Sequence, residues 1–186
     1  SDAAFVQFSD YAKRVFFSNG IHHHYAEDKI FPECSQCYFG TLLDECCPEA
    51  DKDLLLKVIY DPEYLYQRKS TSATGDIVVL SAVNYYDGVT REEVENYYAS
   101  IADPDDPQPI SYGLNSKVVK DADGTVREVL WNADSQYGPA IEKICAQLGK
   151  ASEYAENDEQ KAYIADLIEY YRTGDLRLWD KYNIGW

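Results

Sequence analysis

The chain has 186 residues, 45% apolar and 14% aromatic, which excludes a disordered acidic tail and leaves enough apolar surface for a buried core. Thirty-three acidic residues against seventeen basic ones give a formal charge of −16. That balance argues against a nucleic-acid partner, since phosphate binding needs a basic footprint, and against an anionic membrane for the same reason.

The first element is a helix over 3–17, where Phe5, Phe8, Ala12, Val15 and Phe16 recur at helical spacing and Asn19-Gly20 supplies the stop. The histidine run follows in a loop. Pro32 suits the first turn of a second helix reaching about Cys47, where Pro48 ends it. A short helix over 53–60 precedes a polar loop over 69–75, and the apolar run 77–86 reads as a strand or extended segment. Its strongly apolar part, 77–80, is far too short to span a bilayer, and no signal peptide is visible. Thr90-x-x-Glu93 is a capping box that opens a helix burying Val94, Tyr97, Tyr98 and Ile101. Residues 103–109 hold three prolines and form a surface loop. Segments 111–120 and 125–132 flank Asp123-Gly124 as a β-hairpin. Three helices close the chain. One runs from Pro139 to about Tyr154 with Ile141, Ile144, Cys145 and Leu148 inward. One opens at Asn157, buries Ile164, Leu167, Ile168 and Tyr171, and stops at Gly174; the last is capped by Asp175 and anchored by Leu178, Trp179 and Tyr182. The expected class is α+β: a mainly helical lobe with a small antiparallel hairpin or sheet.

Four of the five cysteines cluster as Cys34-x-x-Cys37 and Cys46-Cys47, with Cys145 apart. Buried thiols are the leading reading, with a disulfide or a cysteine-ligated zinc as alternatives. Neighbouring Cys46 and Cys47 do not easily point at one ion, and the odd count favours a reducing compartment. The three histidines all lie at 22–24, so the sequence holds no His-Glu-x-x-His pair. On an extended chain alternate residues share a face, so at most His22 and His24 converge on an ion; a structural or pocket-lining role is the favoured reading. Glu92-Glu93, Asp105-Asp106 and Asp158-Glu159 read as solvated faces or helix starts rather than catalytic pairs. There is no Gly-x-Ser-x-Gly elbow.

Several blocks resemble the dipeptidyl peptidase III family in the family's order. They are residues 11–25 with Ser18-Asn19-Gly20, Asp28-Lys29-Ile30-Phe31-Pro32, Asn84-Tyr85-Tyr86-Asp87-Gly88-Val89-Thr90 and Ser111-Tyr112-Gly113-Leu114-Asn115-Ser116. Ala140-Ile141-Glu142-Lys143-Ile144, Ala155-Glu156-Asn157 and Tyr170-Tyr171-Arg172-Thr173-Gly174-Asp175-Leu176 complete the set. The Asn-Gly-Ile-His-His-His wording is closest to the bacterial branch. The resemblance implies a two-lobed zinc exopeptidase that removes dipeptides from the N-terminus of short peptides. Its zinc is held by a His-Glu-x-x-Gly-His helix and a later glutamate, and the motif glutamate activates water. No such motif occurs in this sequence. The resemblance therefore places residues 1–186 in the N-terminal part of the non-zinc, substrate-binding lobe, as a piece of a longer polypeptide that carries the zinc. On that reading the chain has no metal ligands or catalytic residues of its own, and its partners are short peptides and the zinc-bearing lobe. Tyr25 falls near a family aromatic that lines the pocket for the substrate's first side chain, and Asn19, His22 and His24 flank it. The expected compartment is cytoplasmic, or periplasmic where an upstream signal has been removed. The alternative is a stand-alone binding or structural domain without catalytic activity.

Overall fold

The computed structural model describes residues 3–186. They divide into two compact units, one ending at Val83 and one spanning Asn84–Trp186. No helix among the described residues is long and apolar enough to cross a membrane.

The first unit holds α1 (Ala3–Phe17), α2 (Gln36–Cys46), α3 (Lys52–Tyr60) and the single-turn α4 (Ile77–Leu80). Its core is Tyr11, Ile30, Phe39 and Ile59, with Phe8, Val15, Leu43 and Leu56 packed against them. On α1 the buried stripe is thus Phe8, Tyr11 and Val15, spaced by three and four residues. Ala12 and Phe16 each follow a core residue by one position, about 100° around the helix, and face outward. Phe5, at the helix start, is also exposed. The second helix begins later than Pro32: Ser35 is its N-cap, accepting from the Tyr38 N–H at 3.2 Å. A hydroxyl that satisfies an orphan amide sets the helix start more strongly than an upstream proline does. Segment 77–86 is likewise not a continuous strand. The Asp76 carboxylate accepts from the Val78 and Val79 amides and turns Ile77–Leu80 into a helical turn, leaving only Tyr86–Asp87 as strand.

The second unit holds β1 (Tyr86–Asp87), α5 (Arg91–Ile101), β2 (Ser116–Lys120), β3 (Val126–Leu130), α6 (Gly138–Ser152), α7 (Asp158–Thr173) and α8 (Leu176–Gly185). The architecture is α+β and mainly helical. β2 and β3 form the expected antiparallel hairpin, with Ser116 opposite Leu130 and Lys120 opposite Val126. β1 pairs with β2 in parallel, so the sheet is mixed, in the order β1-β2-β3. Gly124 at φ 88° supplies the left-handed residue of the hairpin turn. Val89, Val94, Val118, Ile141, Cys145 and Leu176 are buried here. Ile101 and Ile144 are exposed; Ile144 precedes the buried Cys145 by one position and rotates off the packed face. α7 ends at Gly174, φ 79°, whose carbonyl accepts from Asn115 Nδ2 at 2.9 Å.

Candidate functional site

α1 ends in a left-handed residue. Asn19 stands at φ 55° and Gly20 at φ 145°, and the Gly20 N–H returns to the Val15 carbonyl at 3.0 Å. Asparagine tolerates that conformation better than most residues, which explains its place at the stop. Its side chain is at the surface, so Asn19 shapes the loop entry.

The chain then makes a tight hairpin. The His23 N–H donates to Asp28 O at 2.7 Å, and the Ile30 N–H donates to Ile21 O at 2.8 Å. At the tip, His23 Nδ1 accepts from the amides of Tyr25 and Ala26 at 3.3 and 3.1 Å. Glu27 closes the turn at φ 66°. This turn separates the sequence-predicted residues. His22 is buried, and its Nε2 lies 2.8 Å from the Leu65 carbonyl oxygen; a carbonyl only accepts, so Nε2 carries the hydrogen. His24 and Tyr25 stand outside with rings 4.8 Å apart edge to face, and Tyr25 is 86% exposed. His22 and His24 are thus engaged in different surroundings. Among the described residues no group of three or more His, Cys, Asp or Glu side chains is placed to hold a metal ion.

The sequence reading missed what braces this hairpin. Lys29 is 5% exposed, and its ammonium donates to the carbonyls of Asp61 and Tyr64 at 2.6 and 2.7 Å. It also lies 5.5 Å from the centre of the Phe31 ring. Burial pulls its pKa below the ordinary lysine range. Arg68 grips Glu27 through Nε and Nη2, each at 2.7 Å, and holds that carboxyl below the usual carboxylate range. Gln67 Nε2 donates to Asp28 Oδ1 at 3.3 Å. The segment 61–68 thus serves as a backing for the histidine hairpin. It also lines a cavity of about 380 Å³ with Tyr64, Leu65, Tyr66, Gln67, Leu80 and Ser81 among its walls. No local pattern in the sequence pairs residue 27 with 68, but a lysine between Asp28 and Ile30 at a buried register position was a usable hint.

The cysteines divide. Cys34 and Cys145 are buried, whereas Cys37, Cys46 and Cys47 are exposed, so the buried-thiol reading holds for two of the five; all are free. Cys34 Sγ lies 3.6 Å from the Tyr60 hydroxyl. In the second unit, Glu128 accepts from the hydroxyls of Ser116 and Tyr98, tying α5 to the sheet. Burial pushes the Tyr98 phenol up to about 12.

The hairpin tip presents an exposed aromatic ring on a turn braced by the Arg68–Glu27 pair. The family model for Peptidase family M49 matches residues 83–186. That span is the second unit plus Val83. It contains the 84–90, 111–116, 140–144, 155–157 and 170–176 blocks and leaves the histidine hairpin outside. A comparison with curated proteins gives no match. With more than half of its length matched, the chain belongs to Peptidase family M49, the dipeptidyl peptidase III family of metallopeptidases.

Proposed function

We propose that the chain supplies part of the peptide-binding cleft of a zinc dipeptidyl-peptidase, as the N-terminal part of its substrate-binding lobe, and that the zinc site belongs to another part of the same polypeptide. Family membership supports the peptidase class. The zinc is assigned elsewhere because the family's zinc-holding His-Glu-x-x-Gly-His motif does not occur in this sequence, and His22 and His24 stand in different surroundings. The observation that carries the cleft role is Tyr25, an aromatic ring 86% exposed at the tip of a turn held from behind by buried Lys29. Exposing a ring on a rigid turn forgoes the gain from burying it, and contact with an apolar first side chain of a short peptide recovers that gain.

In this reading Tyr25 supplies apolar contact and His24 orients its ring edge to face. Asn19 shapes the entry to the hairpin, and His22 ties its first arm to the Leu65 carbonyl. The chemical step draws on none of them. The test is activity of the 186-residue chain on dipeptidyl-arylamides with added zinc or cobalt. No turnover is expected from it, whereas the polypeptide that includes a His-Glu-x-x-Gly-His motif cleaves them. Chelator-sensitive turnover that stays with the purified chain overturns the division of labour.

A further inference from the structure

The Arg68–Glu27 pair joins segments 41 residues apart in sequence and grips the far side of the turn that carries Tyr25. Both carboxylate oxygens are engaged, and Arg68 Nη2 also lies 3.5 Å from the His24 carbonyl oxygen. The backbone adds a further tie, the Arg68 N–H donating to Glu27 O at 2.9 Å. Arg68 therefore holds the chain on both sides of Tyr25, at residue 24 and at residue 27. Glu27 sits at φ 66°, a conformation that a non-glycine residue keeps only when its surroundings enforce it. The guanidinium fork fixes a direction as well as a distance, which a lysine ammonium does not.

We propose that Arg68, through its two-point grip on Glu27 and its reach to the His24 carbonyl, is the positioning residue that sets where the Tyr25 ring stands for an incoming peptide. This rests on the cleft role of Tyr25. Arg68 does not itself meet the reacting bond. It acts through the backbone that flanks the aromatic ring. Because the guanidinium holds the Glu27 carboxyl below the usual range, the grip persists into mildly acidic solution.

Two variants and two readouts test this. Arg68→Lys keeps the charge and removes the fork; Glu27→Gln keeps the shape and removes the charge. In the 186-residue chain, hydrogen exchange of the Tyr25 and Ala26 amides is expected to rise about 10-fold in either variant as the turn opens locally. Unchanged exchange overturns the positioning role whatever the peptide does. In the zinc-bearing polypeptide, the readout is the ratio of kcat/KM for a bulky apolar against a glycine first residue. Arg68→Lys is expected to lower that ratio about 10-fold, and adding it to Tyr25→Ala should change nothing more. A ratio lowered by Tyr25→Ala but untouched by Arg68→Lys refutes the positioning role and leaves the cleft reading standing. A ratio untouched by Tyr25→Ala refutes the cleft reading itself, and the positioning role with it. An Arg68 that only stabilises the fold would lower Tm with the ratio fixed, and that too counts against the proposal.

Discussion

His22 donates from Nε2 to the Leu65 carbonyl oxygen at 2.8 Å, across 43 residues of sequence. Two residues further on, His24 stands exposed against Tyr25. A run of three identical side chains thus does three different jobs: the first ties the hairpin to its backing segment, the second caps the turn by accepting from the Tyr25 and Ala26 amides, and the last packs against the Tyr25 ring.

That division sets the first expectation. His22→Phe keeps a planar ring but leaves the Leu65 carbonyl without its donor, so it should cost about 1–3 kcal/mol. His24→Ala removes an exposed ring and should stay within about 0.5 kcal/mol of the parent. Urea unfolding of both variants measures this. Equal losses at the two positions would show that the histidines do not differ as described.

The capping box of α5 is the second. The Glu93 N–H donates to Thr90 Oγ1 at 3.3 Å, and the Thr90 N–H donates to Glu93 Oε2 at 2.9 Å. Lys120, 2.5 Å from the other Glu93 oxygen, is the main cause that holds this carboxyl below the usual range. Thr90→Ala should cost on the order of 1 kcal/mol. Since the folded-state pKa of Glu93 is depressed, its contribution is present at neutral pH and fades as the solution is acidified through the carboxylate range. A denaturation midpoint unmoved by Thr90→Ala at pH 7 would contradict the assigned helix start.

Alkaline solution gives the third. Burial, the largest cause in each case, pushes the phenols of Tyr11 and Tyr98 up to about 12. A folded pKa raised above the unfolded value of about 10 means that the stability these groups confer is intact below pH 10 and lost as the pH rises toward 12. Lys29, shifted downward by burial, works the opposite way below the ordinary lysine range, so the effect is read as parent minus variant. Tyr11→Phe and Tyr98→Phe should each flatten the alkaline fall in Tm. The Tyr11 hydroxyl has no hydrogen-bond partner among the described residues, so at pH 7 Tyr11→Phe should be neutral or slightly stabilising. Alkaline curves that coincide with the parent's would exclude these tyrosines as the cause.

The features that local chemistry encodes were legible in the sequence. The Thr90-x-x-Glu93 box, the Asn157 and Asp175 caps, the Gly174 stop and the Asp123-Gly124 turn each satisfy nearby backbone groups, and each appears where the pattern puts it. The errors arose where a second local signal outcompeted the first. Ser35 overrode Pro32 as a helix start, and the Asp76 cap turned a β-branched run into a helical turn. Of the strand read over 77–86 only the far end is found in β1, whose two residues gain their pairing from Val118 and Val119, some thirty positions on. In the candidate site the loop that carries the histidines was legible, whereas Tyr25 was singled out by the family resemblance. The buried Lys29, the Glu27–Arg68 grip and the Leu65 acceptor were not legible, because each depends on segment 61–68 folding back on the hairpin.

The measurement closest to the central claim uses one substitution and two readouts. In the proposed zinc-bearing polypeptide, Tyr25→Ala should mainly raise KM and reduce the preference for an apolar over a small first residue, by about 10- to 200-fold at most, since one apolar pocket contact discriminates by roughly 1–3 kcal/mol. Tm should hold, because a ring that is 86% exposed adds little to the core. A variant with lowered Tm and unchanged preference would contradict the account and reduce Tyr25 to a packing residue.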